Sequence, residues 1–374
     1  MRFKGFDSSW NISAFIDHFI NFSTNSLSWD FLNFNSGEIK NLHYGLIHSS
    51  KYSVFNSCNA PFINKDSIPK KYTIYKSGDL ILADTSEDKK DVGKALELVL
   101  DNYPIICGLH TMHFRERKPS TIPFYKSYYF SSMLYQHFTH KYSEGVKVFS
   151  LKPSLYKYFT FSYPCKDEQQ KIVSFLRLID NKIEIIENKI DILKKYKKGL
   201  IKKLYTNREY MFKLGQFYEM YQPKTITQNL FDENGKYPVY GANGIIGYYN
   251  NYNHINSEVV IGCRGNCESV ILTKPFSWIN GNAMVIKLFK DISISKTELF
   301  YLLQTINFNK YIERSGVPQI TCKKARNIEI PYPTSYGKMI ILSLEKIDKK
   351  IDKLTSALLE FNEYKIYLLK NLFI

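Results

Sequence analysis

The sequence predicts an α/β (α+β) chain in which two mostly β globular blocks are separated by a pair of long antiparallel coiled-coil helices, with an internal pseudo-two-fold repeat. Three observations predict it. A stretch near the middle recurs near the end without a gap. Both copies carry apolar residues every three or four positions, which is helical spacing. The rest of the chain consists of short apolar runs broken by Gly, Asn, Asp and Pro, which reads as strands and turns.

The first block, 1–165, contains runs such as Asp79-Leu80-Ile81-Leu82-Ala83. It closes on Gly145-Val146-Lys147-Val148 and then on Tyr163-Pro164. A helix is predicted over 166–206. Pro164 suits a helix start, and Asp167-Glu168 place acidic charge there. Six lysines between Lys194 and Lys203 crowd the last turns, as the helix dipole prefers. The second block, 207–335, contains Val259-Val260-Ile261-Gly262 and Ala283-Met284-Val285-Ile286. It closes on Gly316-Val317-Pro318-Gln319-Ile320 and on Tyr332-Pro333, and a second helix follows over 336–374.

The two helices are copies. A shift of 168 positions carries Ile179 onto Ile347, Asp180 onto Asp348, Lys182 onto Lys350 and Ile183 onto Ile351. It continues through Tyr196 onto Tyr364 and Tyr205 onto Phe373. Ile179, Ile183, Ile186, Ile190 and Leu193 in the first copy form a narrow seam, as do Ile347, Ile351, Leu354, Leu358 and Phe361 in the second. A seam held for several heptads predicts a coiled coil. If the ends of the second block lie close together, as domain termini often do, the helices run antiparallel. A seam of about 33 residues spans roughly 50 Å at the α-helical rise, about 15 base pairs of duplex.

Charge narrows the partner. The chain has 374 residues, 51 Lys+Arg against 35 Asp+Glu, and a net charge of +16. That favours a polyanion, with nucleic acid the first candidate and an anionic membrane the second. Residues 166–206 hold eleven basic and six acidic residues, and 336–374 hold seven and five, so +9 of the charge falls in the globular blocks. No run approaches the roughly 18 apolar residues of a membrane span. No apolar leader follows Met1-Arg2, so secretion is not expected. Six scattered cysteines suit a reduced, cytoplasmic protein.

Catalytic motifs are not intact. Asn59-Ala60-Pro61-Phe62 departs at its second residue from the Asn-Pro-Pro-aromatic loop of adenine methyltransferases. Gly337-Lys338 lacks the upstream glycine of a phosphate-binding loop, and Met339 stands where Ser or Thr is needed. Cys263 and Cys267, with His254 nearby, fit no standard zinc spacing, so ordinary thiols are expected. His43, His48 and His110 have no partnered nucleophile or carboxylate motif, which favours packing or DNA contact over acid–base chemistry. No catalytic residue, metal or cofactor is expected.

Several motifs, in order, resemble the specificity (S) subunit of a type I restriction-modification system across essentially the whole chain. They include Arg2-Phe3-Lys4-Gly5-Phe6, His43-Tyr44-Gly45-Leu46-Ile47-His48, Pro61-Phe62-Ile63-Asn64-Lys65-Asp66 and Gly78-Asp79-Leu80. Ala83-Asp84-Thr85-Ser86-Glu87-Asp88, Gly108-Leu109-His110-Thr111 and Asp167-Glu168-Gln169-Gln170-Lys171-Ile172 follow. The second half adds Pro238-Val239-Tyr240-Gly241-Ala242-Asn243-Gly244-Ile245-Ile246-Gly247, Gly262-Cys263-Arg264-Gly265 and Gly316-Val317-Pro318-Gln319-Ile320. The resemblance implies target-recognition domains at 1–165 and 207–335 and conserved helices at 166–206 and 336–374. Each domain would read one half of a split site in double-stranded DNA. The helices would set the spacer and seat modification (methyltransferase) subunits, and restriction (translocase) subunits would join that complex. It implies no active site in this chain and no membrane partner. A coiled-coil scaffold or RNA-binding protein without restriction partners is the alternative.

Base reading needs Arg, Lys, Asn or Gln side chains beside loop signals. In the first block the candidates are Tyr44, His48, Lys51, His110, Arg115, Arg117 and Lys147. In the second they are Asn243, Arg264, Asn266, Asn282, Gln319 and Lys323.

Overall fold

The computed structural model describes residues 2–50, 54–99, 103–204, 210–289, 294–314, 316–332 and 335–373. The chain divides into two units, one of 1–186 with 357–374 and one of 187–356. Lys51, Tyr205 and Pro333 lie outside the described residues.

The first unit holds β1 (Asn11–Ala14), β2 (Phe19–Phe22), β3 (Lys40–Leu42), β4 (Phe62–Ile63), β5 (Leu80–Ala83), β6 (Ala95–Val99), β7 (Ile105–Cys107), β8 (Thr111–Glu116) and β9 (Thr160–Tyr163). Its main sheet runs β2-β8-β5-β6 with antiparallel neighbours, extended by Val54–Asn56. A second sheet runs β7-β3-β4, extended by Leu32–Asn33, with β7 parallel and β4 antiparallel to β3. β1 pairs antiparallel with β9. The short helices α1 (Tyr44–Ser49), α2 (Tyr125–Tyr129) and α3 (Met133–Tyr142) complete the block.

β5 explains why its sequence is an unbroken apolar run. Leu80 and Leu82 face a core with Phe15, Tyr125 and Tyr156, while Ile81 and Ala83 face another with Leu42, Ile47 and Leu96. A strand covered on both faces has no polar side to alternate with.

The second unit holds β10 (Met211–Lys213), β11 (Tyr218–Tyr221), β12 (Tyr237–Gly241), β13 (Gly244–Tyr249), β14 (Val259–Gly262), β15 (Val270–Leu272), β16 (Trp278–Ile279), β17 (Ala283–Leu288) and β18 (Glu329–Pro331). Its sheets run β11-β17-β14-β15 and β16-β12-β13, with β10 antiparallel to β18. Within the first sheet the neighbours are antiparallel, and β16 is parallel to β12 while β13 is antiparallel to it. Order and direction repeat those of β1–β9 in the first unit, which adds Leu32–Asn33, Val54–Asn56 and the pair Thr85–Ser86 with Phe149–Ser150. β14 also repeats β5: Val259 and Ile261 face one core and Val260 another. The repeat legible in the helices therefore extends to the folded blocks.

The long helices are α4 (Lys166–Leu204) and α6 (Ser335–Asn371), with the short α5 (Lys296–Leu303) between them in the chain. In the first unit the start of α4 lies beside the end of α6: Ile172, Ile179 and Ile183 share a core with Leu368 and Leu372. In the second unit the end of α4 lies beside the start of α6: Leu200 and Leu204 share a core with Ile340, Leu344 and Ile347. Both crossings are antiparallel, as expected.

Ile179, Ile183, Ile186, Ile190 and Ile347 are buried, and Leu193, Ile351, Leu354, Leu358 and Phe361 are half-buried. Tyr196 and Tyr364, which align in the repeat, are exposed and lie off the seam. The start of α4 is wider than a coiled-coil stripe: Ile172, Val173 and Leu176 all enter the core that holds Tyr125 and Phe161.

The motif at the start of α4 has a structural use. Glu168 is buried and accepts two bonds from Arg2, from Nε at 2.9 Å and Nη2 at 2.7 Å. Gln169 Nε2 donates to the carbonyls of Pro164 (2.9 Å) and Ser120 (3.1 Å), and its Oε1 accepts from the Ile122 N–H (2.9 Å). The opening residues and the loop before α2 are thereby tied to the helix.

Each block is joined to the helices by the same three-residue contact. In the first unit the Tyr128 hydroxyl donates to Asp180 Oδ2 (2.7 Å), and Lys365 pairs with Asp180 Oδ1 (2.6 Å). In the second the Tyr301 hydroxyl donates to Asp348 Oδ2 (2.7 Å), and Lys197 pairs with Asp348 Oδ1 (2.5 Å). Asp180 and Asp348 are 168 residues apart, and so are Lys197 and Lys365, so each helix gives an acid in one unit and a base in the other. Burial and the adjacent carboxylate push both phenols above their ordinary value, which keeps them as donors. A hydrogen bond to a charged group contributes about 1.5–3 kcal/mol. Tyr128→Phe and Tyr301→Phe are each expected to lose about that much, read as a fall in urea midpoint, and each only for its own unit in hydrogen exchange.

Candidate nucleic-acid interface

In the first unit the segments at 43–48, 84–88, 108–110 and 145–148 come together. α1 starts at Tyr44 because His43 caps it: the buried His43 ring accepts from the Gly45 N–H through Nδ1 (3.2 Å). Burial, with His110 nearby, lowers the His43 pKa, which suits a neutral ring that accepts. The Tyr44 ring meets His48 and His110 edge-on, with centroids 5.9 Å and 5.2 Å away. His48 Nε2 donates to the Thr85 carbonyl (2.7 Å), and His110 Nδ1 lies 3.3 Å from Asp84 Oδ1. Tyr44, His48, Thr85 and His110, with Glu87, Asp88, Asp91 and Val148, surround an open cavity of about 460 Å³. Its rim offers acceptors and aromatic faces. Those are the groups that accept from exocyclic amines of bases and pack on the thymine methyl.

Lys147 is exposed beside Val148, on a loop closed by paired backbone bonds between Glu144 and Ser150 (3.0 and 2.8 Å). Arg117 is exposed just beyond β8, with Nη2 3.5 Å from the Ile16 carbonyl. Arg115 has a different place from the one expected. Its Nε and Nη2 each lie 2.6 Å from Asp79, and its guanidinium stacks 4.8 Å from the Phe22 ring. His113, two residues earlier on the same face of β8, meets the same carboxylate at 2.6 Å. Arg115 is committed to an internal network, whereas sequence reasoning saw only an arginine near a loop.

In the second unit the corresponding segments, 241–244, 263–267, 280–282 and 316–320, also meet. The Cys263 N–H donates to the Asn282 carbonyl (2.9 Å), Gly265 N–H to Pro318 (2.9 Å) and Ile320 N–H to Cys263 (3.0 Å). Asn266 Nδ2 donates to Asn243 Oδ1 (2.6 Å), and the Ser269 hydroxyl donates to the Ala242 carbonyl. Arg264 and Gln319 face each other in a backbone bridge. Gly262 has no room for a side chain, because a Cβ would collide with the Asn266 carbonyl. Five of the expected residues, Asn243, Arg264, Asn266, Asn282 and Gln319, are thus brought together. Lys323 is exposed on the short helix Cys322–Ala325 and is not part of these loop bonds.

The cysteines serve the same loops. Gln222 Nε2 donates to Cys263 Sγ (3.1 Å), and Cys267 Sγ donates to the Pro318 carbonyl (3.3 Å). Burial pushes both thiols above their ordinary value. His254 instead meets the Tyr221 hydroxyl (2.9 Å) and Asn253 (2.6 Å). Among the described residues no cluster of three or more His, Cys, Asp or Glu is positioned to hold a metal.

Residues 207–360 match the family described as Type I restriction modification DNA specificity domain. That match takes in the second globular block and most of the helix that follows it. The Type I restriction enzyme EcoprrI specificity subunit of Escherichia coli is 27% identical over 135 residues, 36% of this chain and 32% of that protein. The chain thus aligns with about a third of that relative's length. The crystal structure of a type I restriction-modification S subunit from M. genitalium superposes with a TM-score of 0.63 at 17% identity, covering 98% of this chain and 96% of that one. A structure from a study of complex assembly and conformational transition in the type I R-M system gives 0.58 at 14% identity, covering 97% of each. The fold of those two structures therefore extends over both halves of this chain. No helix among the described residues is long and apolar enough to cross a membrane.

Sequence reasoning missed the acidic rim at Glu87, Asp88 and Asp91, although Glu87 and Asp88 lie in a run that carries part of the resemblance. It also missed the lysines that pair with Asp180 and Asp348. Their signal was available, because Lys197 and Lys365 obey the same 168-residue shift as the seam.

Proposed function

We propose that this chain is the DNA-binding specificity subunit of a type I restriction-modification complex. Residues 1–165 and 207–335 act as target-recognition domains, each reading one half of a bipartite site in double-stranded DNA. The helices at 166–206 and 336–374 set the spacer between the halves and seat the methyltransferase subunits. Restriction subunits join through that complex. The chain itself is non-catalytic, needs no cofactor and acts in the cytoplasm. The observation that carries this reading is the duplicated cluster of loops, supported by the specificity-domain match over 207–360.

The basic charge of the blocks supplies the bulk of the affinity through phosphates. With six to ten phosphate contacts, affinity for duplex DNA falls roughly 10³- to 10⁵-fold between 50 and 200 mM salt. A binding titration of the assembled complex across that range checks this, and a flat response contradicts it. Preference for single strands or RNA over duplex in the same assay would favour the scaffold or RNA-binding alternative.

A further inference from the structure

We propose that Arg264 reads a guanine in the half-site bound by the second domain, as a fork onto O6 and N7 in the major groove. The inference rests on the specificity-subunit reading and names a specificity-determining residue within it.

Arg264 is exposed, and its guanidinium has no hydrogen bond or ion pair among the described residues. Its backbone is nevertheless fixed on both sides. The Cys263 N–H is bound to Asn282, the Gly265 N–H to Pro318, and Arg264 itself is bridged to Gln319. A fixed backbone with a free fork suits bidentate recognition, because only the side chain remains to be ordered when the contact forms. Gly265 has φ +81 and open space where a side chain would stand, so a duplex can approach the loop closely. The neighbouring side chains, Asn243 and Asn266, are amides already bonded to each other. Glu268, the nearby acid, accepts from Asn309 (3.0 Å).

Among the described residues of the first domain, the corresponding cavity has no arginine on its lining. Arg115 is held by Asp79, and the cavity there is rimmed by Glu87, Asp88 and Asp91. Those carboxylates repel the electronegative O6/N7 edge of guanine and accept from amino groups instead. The guanine reader therefore belongs to the second half-site.

A phosphate contact by the same arginine makes a different prediction. It weakens all sites alike, whereas a base contact relaxes one position. The test is the methylome of cells that carry the partner subunits with the parent chain, Arg264→Ala or Arg264→Lys. Both variants are expected to lose the requirement for one guanine in one half-site, with the other half and the spacer unchanged. Lysine keeps the charge without the fork, so it relaxes the same position. Duplexes with 7-deazaguanine at that position, which lacks N7, are expected to bind the parent complex roughly 5- to 150-fold more weakly and to bind the Arg264→Ala complex no differently. If a variant abolishes all methylation, 7-deazaguanine scanned through the parent's own motif decides alone, and no sensitive guanine in the second half-site overturns the inference. An unchanged motif, or uniformly reduced methylation, also overturns it. A parent chain that directs no bipartite motif instead removes the function reading on which the inference depends.

Discussion

Asp79→Ala is expected to cost the first unit about 3–5 kcal/mol, the range for breaking a buried ion pair from one side. The carboxylate is 1% exposed in the turn before β5. It binds Arg115 through both oxygens, meets the buried His113 and accepts from the Lys76 N–H (2.9 Å). The hydroxyl of Tyr75 donates to the Asp79 carbonyl, which fixes the turn. Alanine leaves a fully buried imidazole without this acceptor and a guanidinium with only the Ile74 carbonyl (3.0 Å). Loss of protection at β5 and β8 amides, with β14 and β17 unaffected, is the expected hydrogen-exchange pattern. Equal protection in parent and variant would contradict the assignment.

The same carboxyl gives a pH dependence. Burial alone would raise its pKa, but Arg115, His113 and the Lys76 N–H outweigh burial and hold it below the ordinary carboxylate value. A depressed folded value means stability that is full above about pH 3.9, the unfolded reference, and is lost as pH falls through the folded value. Acid unfolding of the first unit should therefore be less steep in Asp79→Ala. Urea midpoints taken across acidic pH read the difference.

The second large effect concerns the spacer. Inserting four residues after Asn188 and four after Ser356, positions 168 apart in the repeat, is expected to lengthen the preferred spacer by about two base pairs, since four residues add ~6 Å of helix. Four residues also shift the seam out of its heptad phase, which loosens the pairing locally. Seven residues keep the phase, add ~10.5 Å and are expected to lengthen the spacer by about three base pairs. Insertion in one helix alone unpairs the seam and should reduce methylation rather than move the spacer. A methylated motif with its original spacer after both paired insertions would contradict the proposal that the helices are a ruler.

The helices were the most legible part of the chain because their period is local and their duplication needs no folded context. The seam isoleucines at 179, 183, 186 and 190 are all buried as the spacing implies. Tyr196 and Tyr364 align as well as those residues do yet face solvent, because alignment between copies carries no information about which face is turned inward. Strands were legible as runs, and their order was not, since pairing of β8 with β2 and β5 joins segments far apart in sequence. The interface was half legible. Arg264, Asn266 and Asn282 stand out as polar residues in glycine-rich turns, and the fold brings them together. Arg115 stood out only as an arginine beside a loop signal and belongs to Asp79, a partner 36 residues away whose pairing with it no local signal marks.

The account is tested most directly by sequencing the methylome of cells that express the partner methyltransferase subunit with and without this chain. It predicts one bipartite methylated motif, two short specified halves around a fixed spacer, present only with the chain. The same set of methylated sites in both cells would contradict it.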